Sequence, residues 1–258
     1  MIRHPQNYWS LLAQDDVDRI HAAALEVLEQ KGLCIQSHAI LQYLADAGFR
    51  IDATHQKVCI RADDIEKHLA AAPQNWTLHG WDSRNNIRFG SDQLYVAAGY
   101  GSPFVAEPDG RRRPATLDDF KNFTALAQRC ETVDLMSSLM VEPTDVPVRQ
   151  RGLDIMHCLL SHTEKPLMGP VHSDEAIEDA LAMMRIVFGD QGGPHLLALI
   201  NVNSPLRLDA RMAESMLAYL LADQAILLTP GIMMGTTAPV TTAGALVQAW
   251  AELLGVAA

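Results

Sequence analysis

Apolar positions change their period part-way along the chain, and the change divides it. Near the start, Val17, Ile20, Ala24, Val27 and Leu28 recur at three- and four-residue steps, the spacing of one buried helical face. Asp15 or Asp16 is placed to cap that helix and Gly32 to stop it. The pattern predicts a second helix over residues 37 to 47, closed by Gly48, then a hairpin over 49 to 60 and a short helix over 63 to 72 that ends before Pro73. Short strand candidates follow around residues 76 to 79, 87 to 89 and 94 to 97. This first part is expected to be α+β.

The hand-over lies in AAGYGSPFVAEPDGRRRPATLDDFKNF, residues 97 to 123. Gly99, Gly101 and Pro103 punctuate a loop, and Asp109-Gly110 is a hairpin turn signal. Thr116 with Asp119 three residues later has the form of a capping box, and Phe120, Phe123, Leu126 and Ala127 supply one apolar face for the helix it opens. Beyond it, continuous apolar runs recur at 133 to 141, 166 to 171, 195 to 202 and 225 to 228, spaced by roughly the 30 residues of a βα unit. Amphipathic helices are predicted between them, over 148 to 160, 174 to 188 with Ser173 as cap, 209 to 221 and 241 to 254. Apolar strands alternating with helices imply a parallel sheet covered on both faces.

A closed (β/α)₈ barrel takes about 250 residues, and only the part after about residue 115 alternates. Four units fit. The expected architecture is therefore an α/β fold of TIM-barrel type truncated to about its first four βα units: an N-terminal α+β region at 1–114 and a first half-barrel at 115–258. A small open sheet with an appended domain is the other arrangement that the count allows.

Charge and cysteines narrow the class. The chain has 258 residues, 48% of them hydrophobic, and a net charge of −11. Apart from Arg111 to Arg113, read as a solvated turn, no basic cluster offers a phosphate-binding face, which argues against nucleic acid. Cys34, Cys59, Cys130 and Cys158 form no CxxC pair, so neither a zinc ribbon nor a dithiol motif is expected and a reducing cytoplasm suits them. No run approaches the ~18 apolar residues of a membrane span.

In parallel α/β folds ligands bind at the carboxyl ends of strands. Those positions hold Glu142, Gly169 to His172, Asn201 to Ser204 and Thr229 to Thr237. His172 is the best acid–base candidate, against the alternative of a capping or surface histidine. Asn201, Asn203 and Ser204 could orient a ligand or equally satisfy turn backbone. Thr236 and Thr237 lie in a glycine-rich turn that leads into a helix, where free amides could hold an anion. Tyr100, beside Ser102 in the first loop, offers a ring to a quaternary ammonium. A metal site from His157, His162 and His172 with Cys158 matches no standard spacing, and none is expected.

The order of five segments, GYGSPFV, RPATLDDF, KPLMGPV, NVNSPL and MMGTTAPVTTAGAL, resembles the trimethylamine methyltransferase family, the MttB-like proteins, over essentially the whole length. The resemblance implies a (β/α)₈ barrel about twice this long. It also implies transfer of a methyl group from a methylated amine, such as trimethylamine, glycine betaine or a related betaine, to the Co(I) of a corrinoid carried by a cognate protein. No cofactor is then bound directly. Tyr100, Ser102, Asn201, Asn203, Ser204, Thr236 and Thr237 become substrate-binding expectations and His172 a catalytic one. The contrasting expectation is a catalytically inactive half-barrel acting as a binding or assembly module, since exposed strand edges favour pairing with a second copy; a homo-oligomer is otherwise only the general prior for a chain of this kind.

Overall fold

The change of period near residue 97 becomes a change of sheet type in the structure, a computed structural model that describes residues 2–3, 11–90, 93–171, 173–189 and 192–258. Its elements in chain order begin with β1 (Ile2–Arg3), α1 (Gln14–Gln30), β2 (Leu33–Ile35), α2 (His38–Asp46), β3 (Arg50–Asp52), β4 (Lys57–Cys59) and α3 (Ala62–Ala71). There follow β5 (Trp76–Leu78), β6 (Ile87–Phe89), β7 (Gln93–Leu94), β8 (Phe104–Ala106), β9 (Arg112–Pro114), α4 (Leu117–Arg129), α5 (Val148–His162) and β10 (Leu167–Gly169). The last are α6 (Asp174–Phe188), β11 (Leu196–Val202), β12 (Arg207–Leu208), α7 (Ala210–Leu221), β13 (Ala225–Pro230) and α8 (Thr242–Ala257). The fold is α/β. Among the described residues no helix is long and apolar enough to cross a membrane.

Contacts divide the chain into two units that interleave along the sequence and do not follow a cut between residues 114 and 115. The first comprises Met1–Gln6, Gln74–Leu199 and Ala218–Ile226; the second comprises Asn7–Pro73, Ile200–Leu217 and Leu227–Ala258.

In the first unit, β10 and β11 pair in parallel with Leu167 opposite Leu196, and parallel bridges join Ala97 to Leu135 and Met136 to Leu167. Neighbours in space are thus neighbours in sequence, as βα connections produce. Every residue of β10 is buried, which is why the segment reads as a continuous apolar run. The expected strand over 133 to 141 is reduced to bridges at Leu135, Met136 and Val141. Its backbone is diverted by serines: Leu139 N donates to Ser137 Oγ at 3.1 Å and not to a neighbouring strand.

The antiparallel pair β5–β6 closes the amino ends of these strands. His79 N donates to Pro194 O at 3.0 Å and Asp82 N to Glu164 O at 3.2 Å, and both acceptors precede a strand. Leu78 and Ile87 of the pair share one core cluster with Leu135, Met168 and Leu197, and Trp76 stacks on Phe89 at 4.1 Å. Lys165 lies at the same end. Its ammonium is buried and donates to Ala127 O, Cys130 O and Val133 O at 2.8, 2.8 and 2.6 Å. These carbonyls lie at the end of α4 and in the turn that follows, where Ala127 O also accepts from Cys130 N and Cys130 O from Val133 N, each at 3.2 Å. Burial pushes the Lys165 pKa below the ordinary lysine value, while Cys130 and Asp134 oppose the shift.

The hairpin β8–β9 turns at Asp109-Gly110 as the sequence indicates, with Gly110 at φ +83°. The capping box of α4 is present in both directions. Arg113, by contrast, is no part of a solvated turn. It grips Asp119 with two bonds, at 2.6 and 2.8 Å, and Glu107 with a third at 2.5 Å, tying the hairpin to the first turn of α4. Arg111 does remain at the surface, paired with Asp109.

In the second unit α1 packs along α8 so closely that a Cβ at Gly255 would stand 2.6 Å from Leu28 Cδ2. The cap expected at Asp15 or Asp16 sits earlier: the N-cap is Ala13, and the two aspartates occupy the first turn, where they face the helix dipole favourably. A four-stranded sheet of order β12-β2-β4-β3 takes in β12, a strand the periodicity does not predict, parallel to β2 with Arg207 opposite Cys34.

Two outcomes follow. Arg113 first, with the Thr116 bonds adding and burial opposing, holds the Asp119 carboxyl far below its ordinary 3.8. Its stabilisation is therefore complete above about pH 4 and lost as pH falls further. Asp119→Asn is expected to cost about 1–2 kcal/mol at pH 7 and to flatten the acid limb of stability in urea melts taken between pH 2 and 7. Lys165→Met removes a buried ammonium shared by three carbonyls, of which Ala127 O and Cys130 O keep the amides of Cys130 and Val133 as donors, and is expected to cost about 1–3 kcal/mol, read as a lowered melting temperature by circular dichroism.

Candidate functional site

With the amino ends of the parallel strands closed by β5–β6, the carboxyl ends are the ones left for chemistry. In the first unit the segment after Ala97 is sewn to the next strand position: Ala98 N donates to Leu135 O at 2.9 Å, Gly101 N to Leu139 O at 2.7 Å, and Glu142 N returns to Ser102 O at 2.8 Å. Gly101 takes φ +85°, the region glycine enters at low cost. This stitching presents Tyr100, 41% exposed. Ser102 Oγ is turned to its own loop, donating to Phe104 O at 2.8 Å and accepting from Phe104 N at 3.4 Å. Beside the loop lies a cavity of about 490 Å³ lined by Gly99, Ser102, Phe104, Phe123, Cys130 and Met140 among others.

Glu142, at the next strand end, pairs with Arg151 from the first turn of α5, and Arg151 Nη2 also reaches Val146 O at 3.4 Å. One strand further, two buried hydroxyls hold the end of β10. Ser138 Oγ donates to Gly169 O at 3.1 Å, and Tyr219 Oη from α7 donates to Pro170 O at 2.8 Å. Burial first, and the Tyr100 phenol second, push the Tyr219 phenol above its ordinary range. It therefore stays protonated and remains a donor. The two tyrosines are thus in electrostatic reach of one another beside the segment that leads to position 172. His172 itself lies outside the described residues.

In the second unit NVNSPL forms a tight hairpin. Asn203 N donates to Arg207 O at 2.7 Å and Arg207 N to Asn203 O at 2.9 Å; the Asn203 side-chain oxygen accepts from Asp209 N at 3.3 Å. Ser204 Oγ donates to Glu252 Oε2 at 2.8 Å. Asn203 and Ser204 therefore satisfy the turn and its support, one of the two alternatives their residue types allow. Asn201 is exposed and accepts from Thr229 Oγ1 at 2.8 Å, which joins the ends of two strands.

The glycine-rich turn does not offer its amides to an anion. The amides of Thr236, Thr237 and Ala238 all point at Met233 O, at 3.0, 3.0 and 3.1 Å, and Met233 N donates to Thr237 Oγ1 at 2.9 Å. Thr236 is exposed and Thr237 half-buried. Helix α8 begins separately, capped by Thr241.

His162 Nδ1 lies 2.9 Å from Cys158 O, and burial raises the Cys158 thiol pKa. Among the described residues no three His, Cys, Asp or Glu side chains are grouped to hold a metal ion. The cysteines are all free thiols.

Two side chains central to these loops are missing from the sequence expectations, Tyr219 and Glu252. Glu252 did leave a signal: it is a carboxylate on the face of α8 that also carries Ala245, Ala251, Leu254 and Gly255, all buried. An acid in that position needs donors, and the strand-end loops supply them.

Comparison with known proteins places this geometry in a lineage. The model of the trimethylamine methyltransferase (MTTB) family matches residues 1–258. The glycine betaine methyltransferase of Desulfitobacterium hafniense (strain Y51) is 32% identical over 250 residues, a stretch covering 95% of this chain and 52% of that protein. The L-carnitine:corrinoid methyltransferase of Eubacterium limosum is 23% identical over 258 residues, covering 95% and 52%. The trimethylamine methyltransferase MttB of Desulfitobacterium hafniense (strain DSM 10664 / DCB-2) is 25% identical over 250 residues, covering 94% and 50%. The chain spans about half the length of the curated relatives it matches. Among solved structures, the Methanosarcina barkeri monomethylamine methyltransferase (MtmB) is similar with 17% identity and a TM-score of 0.47, over 88% of this chain and 54% of that one.

The support of β10 can be tested directly. A Cβ at Gly169 would stand 2.1 Å from the Tyr219 hydroxyl oxygen and 2.8 Å from Tyr219 Cζ. Gly169→Ala is expected to destabilise by about 2–4 kcal/mol. Combining it with Tyr219→Phe should cost less than the sum of the two single changes, as measured in a denaturant double-mutant cycle.

Proposed function

The chain belongs to the trimethylamine methyltransferase (MTTB) family, and from that membership we propose that it is part of a corrinoid-dependent methyltransferase acting on a methylated amine or betaine. The family match over residues 1–258 carries this reading, and the names of its relatives supply the donor class. Parallel strand positions at Ala97, Leu135–Met136, Leu167 and Leu196 that neighbour one another in chain order support, as the architecture of the whole protein, a (β/α)₈ barrel of which this chain supplies the first half.

The corrinoid of a partner protein enters as the second substrate, and its Co(I) supplies the nucleophile that takes the methyl group. The chain's own task is to bind, orient and dehydrate the ammonium. Tyr100 offers its ring face to the cation, at a strand end where a loop stitched to Leu139 and Glu142 holds it. Asn201, bonded to Thr229, and the exposed Thr236 are the substrate-binding residues proposed in the second unit. Ser102, Asn203, Ser204 and Thr237 shape the loops that carry them. His172 is the group proposed to move or hold a proton. A quaternary ammonium leaves as a neutral amine without one, whereas a tertiary amine must first be activated.

The test is methyl transfer by the product of the complete gene to a reduced corrinoid protein, followed by the cobalt absorbance change, with trimethylamine, glycine betaine and carnitine as donors. A donor-dependent change is expected, and Tyr100→Ala should raise KM for a quaternary donor by about tenfold, a loss of ~1.4 kcal/mol. No change with any donor, from folded protein and a competent corrinoid partner, would favour the binding-module reading instead.

A further inference from the structure

Both strand-end loops of the second unit are held from behind by one turn of one helix. On α8, Gln248 and Glu252 stand four residues apart and bond to each other, Gln248 Nε2 donating to Glu252 Oε1 at 3.0 Å. Glu252 is fully buried. Its two oxygens also accept from Leu206 N at 2.9 Å and Ser204 Oγ at 2.8 Å. The same Gln248 amide donates to Thr237 O at 2.8 Å. A continuous path therefore runs from the 201–206 hairpin through Glu252 and Gln248 to the 233–238 turn. Each link is a short hydrogen bond between side chains or between a side chain and backbone.

We propose that Gln248 and Glu252 are a positioning pair that locks these two loops to one another, so that Asn201 and Thr236 meet a substrate at a spacing set by α8. The proposal rests on the methyltransferase reading for what the loops bind, but the lock itself does not. Neither residue touches the donor. Each acts through the loop it holds, and the energy of that arrangement is high because a buried carboxylate needs all of its donors. Leu206, which lends its amide to the lock, sits at φ +50°, a conformation that a non-glycine residue keeps only when its surroundings hold it. The bond from Glu252 Oε1 to that amide is one such restraint.

The chemistry predicts which substitution is tolerated. In Glu252→Gln the side-chain oxygen still accepts from Leu206 N and the Gln248 amide, while its NH₂ donates to Ser204 Oγ, whose hydroxyl is free to turn and accept. Glu252→Leu keeps the volume and loses every bond. Ser204→Ala removes a single bond, at the far end of the path from Thr237.

Amide hydrogen exchange on the chain tests the lock without substrate. Ser204→Ala and Gln248→Ala are each expected to speed exchange at the amides of Thr236 to Ala238 by about tenfold. Glu252→Gln should remain within about twofold of the parent. Acceleration by Ser204→Ala that stops within residues 203–208 would overturn the proposal, as would equal behaviour of Glu252→Gln and Glu252→Leu. In the complete gene product, Gln248→Ala should raise KM for the methyl donor about tenfold with kcat changed less than threefold; an unchanged KM would show that the lock does not set substrate spacing. If the parent protein transfers no methyl group, the functional reading fails while the exchange data still decide whether the loops are coupled.

Discussion

Where α4 ends in the first unit, a single buried ammonium draws together three backbone carbonyls, two of which also accept from backbone amides. Lys165 stands just before β10 and gathers the end of α4 and the turn to residue 133. It thereby sets where the 133–136 segment enters the sheet and where β10 begins beside it. The β5–β6 pair closes the same end over a shared apolar cluster. A charge and a hydrophobic plug thus occupy one end of the strands. The other end is freed for loops whose own bonds are mostly local: Ser102 to Phe104, and Asn203 to Arg207.

Much of this was legible in residue order. Thr116 and Asp119 announce their capping box because the reciprocal bonds need only those two residues and the backbone between them. Asp109-Gly110 announces its hairpin for the same reason. Where the reading went astray, the deciding partner was distant in sequence or chemically unexpected. Arg113 looked solvated because nothing in a run of three arginines tells which one meets Asp119. The 133–141 run looked like a full strand because its apolar residues mask the serines that divert its backbone. β12 could not be seen at all, since two residues carry no period and its partner is β2.

The candidate site divides along the same line. Strand-end position draws attention to the loops, since the alternation of strand and helix fixes where chain reversals fall. Which side chain in a loop faces a ligand and which supports the turn is a matter of pairing, and Ser204 finds its partner 48 residues further on. Residue type alone left both options standing for Asn203 and Ser204, and the pairing chose support. Tyr219 escaped notice for a different reason. A tyrosine within a helical apolar stripe reads as core, and it is core, but its hydroxyl also fixes the end of β10.

The pairing of β12 with β2 carries a consequence for synthesis. Cys34 finds its partner in Arg207, roughly 170 residues later, and a ribosome adding about 5–20 residues per second needs on the order of 10–35 s to supply it. Through that interval one edge of β2 emerges without its final neighbour. The open edge is short, three residues between Gly32 and the polar Gln36, and a very short strand is among the ways natural sheets keep an unpaired edge from recruiting a stranger. The nascent chain is thereby able to wait for its own last strand.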